Sequence, residues 1–186
     1  MKSTGIVRRI DELGRVVIPK EIRKTLRIKE GDPLEIFTQE EQLLFKKYSP
    51  VANINALAED VAVSLASVNE CSCIICDMEK IVACKGTGTK ELKGKKISSK
   101  LEKLIYERKN YICSDESCSP IDLSSDGGGK YPCQIIMPII SGGDVFGGII
   151  LGSNLQLGSA EIKSVRGFSE YIGRFLQVWL EKKKRL

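Results

Sequence analysis

The chain has 186 residues, of which 42% are hydrophobic and 28% charged, with a net charge of +5; this is the composition of a globular protein of one large domain or two small ones. It holds no histidine, which excludes Ser-His-Asp and Cys-His catalysis and removes the usual imidazole metal ligand. No apolar run approaches the roughly 20 residues of a membrane span, and the N-terminus lacks the apolar core of a signal peptide, so a cytoplasmic protein with no membrane partner is expected.

Charge is unevenly spread. From Lys2 to Lys29 stand nine Lys or Arg against Asp11, Glu12 and Glu21, so the rest of the chain is close to neutral. Gly5–Asp11 and Arg15–Ile18 are short β-rich runs joined by Glu12-Leu13-Gly14, which predicts a hairpin with glycine at the turn. Arg8, Arg9 and Arg15 lie on those runs. Lys20, Arg23, Lys24 and Arg27 follow at i, i+3, i+4 and i+7, one face of a short helix with Pro19 as its first residue. Acids are scarce between these bases, so little salt-bridge pairing is available to them. Guanidinium and ammonium groups on a hairpin and a helix can clamp phosphates and reach base edges.

After a break at Gly31-Asp32-Pro33, Leu34 to Thr38 and Leu43 to Tyr48 read as a second β pair about a Gln39–Gln42 turn. About fifty residues bury too little apolar surface for comfortable stability, so a partner chain is expected. One helical period fits here, which excludes a helix-turn-helix.

The stretch GIVRRIDELGRVVIPKEIRKTLRI resembles the AbrB-type, swapped-hairpin DNA-binding domain of the transition-state regulators, and the likeness spans residues 1 to about 50. The resemblance implies that two copies interleave their hairpins into one β-barrel, a homodimer that binds double-stranded DNA through Arg8, Arg15, Arg23 and the position of Lys24. Lys24 stands where the family more often has Arg, so it keeps the charge but loses the bidentate fork.

Tyr48-Ser49-Pro50 ends this module. Ile54, Leu57, Ala58, Val61, Ala62 and Leu65 then predict an amphipathic helix over about 54–69, capped by Asn53 or Asn55 and joined stiffly to what precedes it. Cys73–Cys76 and Ile81–Lys85 predict a hairpin about Met78-Glu79. Ile97, Leu101, Leu104 and Ile105 mark a helix capped by Ser98 or Ser99. Residues 110–130 read as a polar loop or a weak strand pair. Gln134–Ile140 and Val145–Leu151 are two apolar strands about Ser141-Gly142-Gly143-Asp144, and a last helix runs from Ser159 to about Leu180, ahead of a basic tail, Lys182 to Arg185, read as a solvated terminus. Helix, antiparallel sheet and helix make an α+β arrangement. Pro138-Ile139-Ile140 with Gly142, Gly143, Gly147, Gly148 and Ile149 resembles the late strand pair of a GAF domain. Residues 1–52 are thus expected to form the DNA-binding domain and 53–186 a GAF-like domain.

Other motifs weigh less. Ser124–Lys130 lacks the first glycine and the final Ser/Thr of a P-loop, and Gly86-Thr87-Gly88 lacks the third glycine of a dinucleotide fingerprint. Seven cysteines, an odd number, without a secretion signal argue against a structural disulfide. Cys71-x-Cys73-x2-Cys76 has a metal-like spacing, yet an offset of three on one strand puts Cys73 and Cys76 on opposite faces. Cys113 and Cys118, in the polar loop, are expected to be an exposed, reactive pair. Val165, Phe168, Ile172, Phe175 and Trp179 read as a core-facing stripe on the last helix or as a seam between subunits, and Ile162, Leu176 and Leu180 widen it enough to serve as both.

The expected function is transcriptional regulation, with no catalytic residue, no metal and no cofactor. The candidate DNA contacts are Arg8, Arg9, Arg15, Lys20, Arg23 and Lys24. A GAF-like domain behind an AbrB-type module resembles the sporulation regulators, which implies control of forespore genes, up or down, by a nucleoid-associated protein. That domain is expected to add tetramerisation and to accept a small-molecule effector. Two rivals stand beside this reading: an antitoxin using the same barrel, and a GAF-like thiol enzyme carrying a DNA-binding module.

Overall fold

The computed structural model describes residues 4–114 and 118–183. The chain divides into two units, Met1–Tyr48 and Ser49–Leu186. Of the basic tail, Lys184 and Arg185 lie outside the described residues.

In the first unit the predicted hairpin is present only as its turn. The amides of Leu13 and Arg15 donate to Asp11 Oδ1 at 3.0 and 2.7 Å. Gly14 N donates to the Asp11 carbonyl at 2.9 Å, with Gly14 at φ +75°. Beyond the Asp11–Arg15 pair no ladder continues among the described residues. Two short strands hold together only over a packed apolar face, and here Val7 and Val17 are 85% and 71% exposed.

Helix α1 (Lys20–Thr25) follows. Pro19 is its N-cap rather than its first residue: ψ is 148°, and the Pro19 carbonyl accepts Arg23 N at 2.9 Å. The helix is shorter than the four bases suggested. Ile28 N donates to Arg23 O at 2.7 Å and Arg27 N to Lys24 O at 3.2 Å, with Arg27 at φ +52°. That double closure ends a helix in the left-handed region, so Arg27 lies past the end of α1. Strands β1 (Leu34–Gln39) and β2 (Gln42–Lys47) then pair antiparallel from Leu34↔Lys47 to Gln39↔Gln42, as expected.

The second unit opens with two helices, α2 (Pro50–Asn53) and α3 (Asn55–Val68). Neither expected asparagine caps α3, because Asn53 ends α2 and Asn55 is already helical, where it donates to Glu59. The cap is Ser49, on α2: its Oγ accepts Ala52 N at 3.3 Å and donates to Asp77 Oδ2 at 2.7 Å. Five strands follow, β3 (Ser72–Cys76), β4 (Ile81–Lys85), β5 (Tyr111–Cys113), β6 (Cys133–Ser141) and β7 (Asp144–Ser153). They form one antiparallel sheet in the order β4-β3-β7-β6-β5. Helix α4 (Ser99–Tyr106) lies between β4 and β5 in sequence, and α5 (Ser159–Lys183) closes the chain. Ser98 caps α4, accepting Leu101 N at 3.1 Å; Ile97, expected inside that helix, precedes it in a bridge to Ser124.

The sheet is buried on both faces, which is why β6 and β7 read as continuous apolar runs rather than alternations. One face packs Ile135, Met137, Ile149 and Leu151 against α3 and α5. The other packs Ile136 and Ile150 against Leu101 and Ile105 of α4 and against Leu92, Leu123 and Tyr131 from the loops. Of the 110–130 segment, the three residues of β5 join the sheet, and Gln134 holds Ile121. Its amide donates to Ile121 O and accepts Ile121 N, both at 2.8 Å.

On α5 the buried row is Val165, Ser169, Ile172 and Leu176. Phe175 faces solvent, as do Tyr171 and Val178. The helix sits close on β6: Ser169 Oγ donates to Pro138 O at 2.6 Å, and a Cβ on Gly173 would lie 2.2 Å from Ile140 O. Among the described residues no helix is long and apolar enough to cross a membrane.

Candidate nucleic-acid interface

All six candidate contacts, Arg8, Arg9, Arg15, Lys20, Arg23 and Lys24, are exposed. Arg8 and Arg9 lie on the extended run before the Asp11 turn, Arg15 emerges directly after it, and Lys20, Arg23 and Lys24 occupy one side of α1. The three segments are contiguous in the first unit and bring six cations onto about seventeen residues of chain.

Asp11 is the residue that sequence reasoning missed. The scarcity of acids implies that little salt-bridge pairing is available to these bases, and one acid at hand is used: Arg15 Nε bonds Asp11 Oδ2 at 2.8 Å. The Arg15 backbone N–H and guanidinium hold the Asp11 carboxyl below the usual carboxylate range. One carboxylate thus closes the turn with Oδ1 and aims the arginine with Oδ2. The bond uses Nε, so the outer end of the guanidinium remains presented to solvent, where it can fork onto a base edge or a phosphate. The signal was available: an Asp two and four residues ahead of amides in a Gly-containing turn is an Asx-type organiser.

The cysteines divide as the strand geometry requires, with one correction. Cys73 packs on the α3–α5 side of the sheet and Cys76 on the α4 side. Burial pushes both thiols up, and it pushes Cys71 up to about 11 with help from the Glu161 carboxylate. Cys113 and Cys118, expected to be an exposed pair without a structural disulfide, are joined by one, with Cα atoms 5.5 Å apart. Cys113 is also fully buried, at the end of β5. The compartment argument had outweighed what a separation of five residues permits.

Residues 53–177 match the family described as the stage V sporulation protein T C-terminal domain, a transcription factor, and residues 7–52 match the family described as antidote-toxin recognition MazE, bacterial antitoxin. Stage V sporulation protein T of Bacillus subtilis (strain 168) is 39% identical over 179 residues, covering 95% of this chain and 99% of that one. The transition state regulatory protein AbrB of the same organism is 64% identical over 50 residues, 27% of this chain and 52% of AbrB. The second GAF domain of DevS from Mycobacterium smegmatis superposes with a TM-score of 0.54 at 15% identity, covering 71% of this chain and 99% of that domain; at that identity the likeness is one of fold.

Proposed function

The chain belongs to the stage V sporulation protein T family, and from that premise we propose that it is a DNA-binding transcriptional regulator of sporulation genes, raising or lowering their expression. The first unit is the DNA-binding module and works as a homodimer. The second unit, GAF-like in fold, adds tetramerisation and small-molecule sensing. The protein acts in the cytoplasm, on the nucleoid, and not as an enzyme.

The observation that carries this reading is the first unit itself, a basic face on a segment without a core. Arg8, Arg9, Arg15, Lys20, Arg23 and Lys24 are its proposed DNA contacts. Those on the extended runs and on α1 serve phosphate or base edges according to their reach. Tetramerisation draws its support from α5, where Tyr171, Phe175 and Val178 stay exposed at i, i+4 and i+7. An antitoxin reading has less behind it, because the antitoxin-type match covers residues 7–52 alone, and a folded unit with two packed faces follows.

The test is a DNA titration of the full chain at several salt concentrations. A bidentate Arg–base contact is worth about 1–3 kcal/mol, so Arg15→Ala and Arg23→Ala should each weaken specific binding at least several-fold with the dimer intact. A phosphate-only Arg instead weakens specific and non-specific DNA alike and reduces the salt slope by about one unit. Wild-type affinity in both variants would refute the interface.

A further inference from the structure

The disulfide lies at the edge of the sheet, since β5 is the last strand in the order β4-β3-β7-β6-β5. Its two sulfurs are unlike. Cys113 is fully buried, with Sγ 3.3 Å from the Pro132 carbonyl oxygen, an acceptor ready for an S–H. Cys118 is partly exposed and lines an open surface depression together with Pro120, Lys130 and Pro132. An incoming thiolate therefore reaches Cys118 and not Cys113, and Lys130 lends the wall of that depression a positive charge that draws thiolates in.

The segment carrying Cys118 also has tethers that do not depend on the bond. Tyr111 Oη donates to Ser119 O at 2.6 Å, and Gln134 holds both backbone groups of Ile121. Opening the disulfide thus leaves β5, Ser119 and Ile121 held in place.

We propose that Cys113 and Cys118 form a reversible dithiol–disulfide site, reduced at Cys118 by small or protein dithiols through the depression that Lys130 lines. A thiolate of the reductant attacks Cys118 Sγ. The Cys113–Cys118 bond breaks, and its electron pair leaves on Cys113 Sγ, which takes up a proton and donates S–H to the Pro132 carbonyl. The reductant's second thiol loses its proton and attacks the reductant's own sulfur in the mixed disulfide, expelling Cys118 as thiolate at the Lys130 wall, where it is protonated. The chain gains two electrons and two protons, and the reductant becomes a disulfide; an oxidised dithiol runs the same steps backwards. The inference takes its compartment, where such reductants abound, from the regulator reading, while the chemistry is independent of it.

The experiment equilibrates the full chain in mixtures of reduced and oxidised dithiothreitol, quenches with acid, alkylates with N-ethylmaleimide and maps the label by peptide mass. Cys113 and Cys118 should gain label together in one two-electron transition, with circular dichroism unchanged between the end states. Cys118→Ser should abolish the transition, and Lys130→Gln should slow reduction several-fold. The proposal is overturned if both cysteines carry label at the oxidised end, if the bond opens only in denaturant, or if Cys118→Ser keeps the transition by pairing Cys113 with Cys133. None of these outcomes depends on DNA, so failure of the arginine variants to lose DNA affinity would sink the regulator reading and leave this result standing.

Discussion

On α5 two glycines six residues apart have opposite surroundings. Gly167 has nothing within 4 Å of where its Cβ would stand, whereas a Cβ on Gly173 would meet the Ile140 carbonyl oxygen at 2.2 Å. Glycine inside a helix costs about 1 kcal/mol relative to alanine. Gly167→Ala should therefore stabilise the second unit by about that much, roughly 2–4 °C in Tm for a protein of this size. At Gly173 the same gain meets backbone overlap. Overpacking costs about 1–3 kcal/mol or more, and backbone cannot rotate away as a side chain can, so Gly173→Ala should destabilise. Paired thermal melts check both signs. A Gly173→Ala variant as stable as wild type would mean that α5 is not seated on β6 as described.

Elements were legible where their signals were local. Gly142 and Gly143 both take positive φ, +57° and +87°, the two-residue turn that glycine supplies, and the apolar runs beside it became β6 and β7. Ser98 announced α4 by its side chain. Signals that depend on distant residues were lost: α2 is capped by a serine that leans on Asp77, 28 positions away. On α5 the stripe holds at Val165, Phe168 and Ile172, with Leu176 inside it as expected, and departs at Phe175. A 3.5-residue repeat includes Phe175, but a straight helix drifts about 20° per heptad, which carries that position outward. In the first unit the turn of the hairpin could be read while its ladder could not, since pairing there needs a second apolar surface. The loop after α4 offers a test at this scale. Lys95 bonds Asp126 at 2.8 Å, Gly128 N donates to Ser124 Oγ at 2.8 Å, and the Ser124 hydroxyl donates to Asp126. The Lys95 ammonium, then Ser124, hold the Asp126 carboxyl down to about 2. A carboxyl depressed in the fold contributes fully above its unfolded value near 4 and loses that contribution as pH falls through its folded value. Amide shifts of Gly127 and Gly128 should thus hold steady from pH 7 to about 3 and move as pH falls through about 2, and Asp126→Asn should abolish that movement. Because the pair is exposed, the global Tm should change little.

At the scale of the whole molecule the two units differ in what holds them together. The second buries both faces of a five-stranded sheet. In the first, among the described residues, Pro19 alone is buried, while Ile6, Ile10, Val16, Ile36 and Phe45 join Val7 and Val17 in solvent. Fully burying one such side chain contributes about 1.5–3 kcal/mol, and a whole domain is stable by only about 5–15 kcal/mol. Covering even half of these seven against a second copy would supply stability of that order, whereas a lone first unit has almost none of it. Residues 1–52 alone should therefore be folded only as a dimer, with a thermal midpoint that rises with protein concentration as mass action requires. Sedimentation at several concentrations, read beside circular dichroism, checks this; a folded monomer whose midpoint ignores concentration would defeat it. The consequence reaches DNA binding. Two copies of the Arg8–Lys24 surface double the number of phosphates neutralised, and log K falls with log salt by about 0.9 per phosphate. Diluting the fragment below its dimer dissociation constant should then reduce affinity and flatten the salt slope in the same concentration range in which the fold is lost.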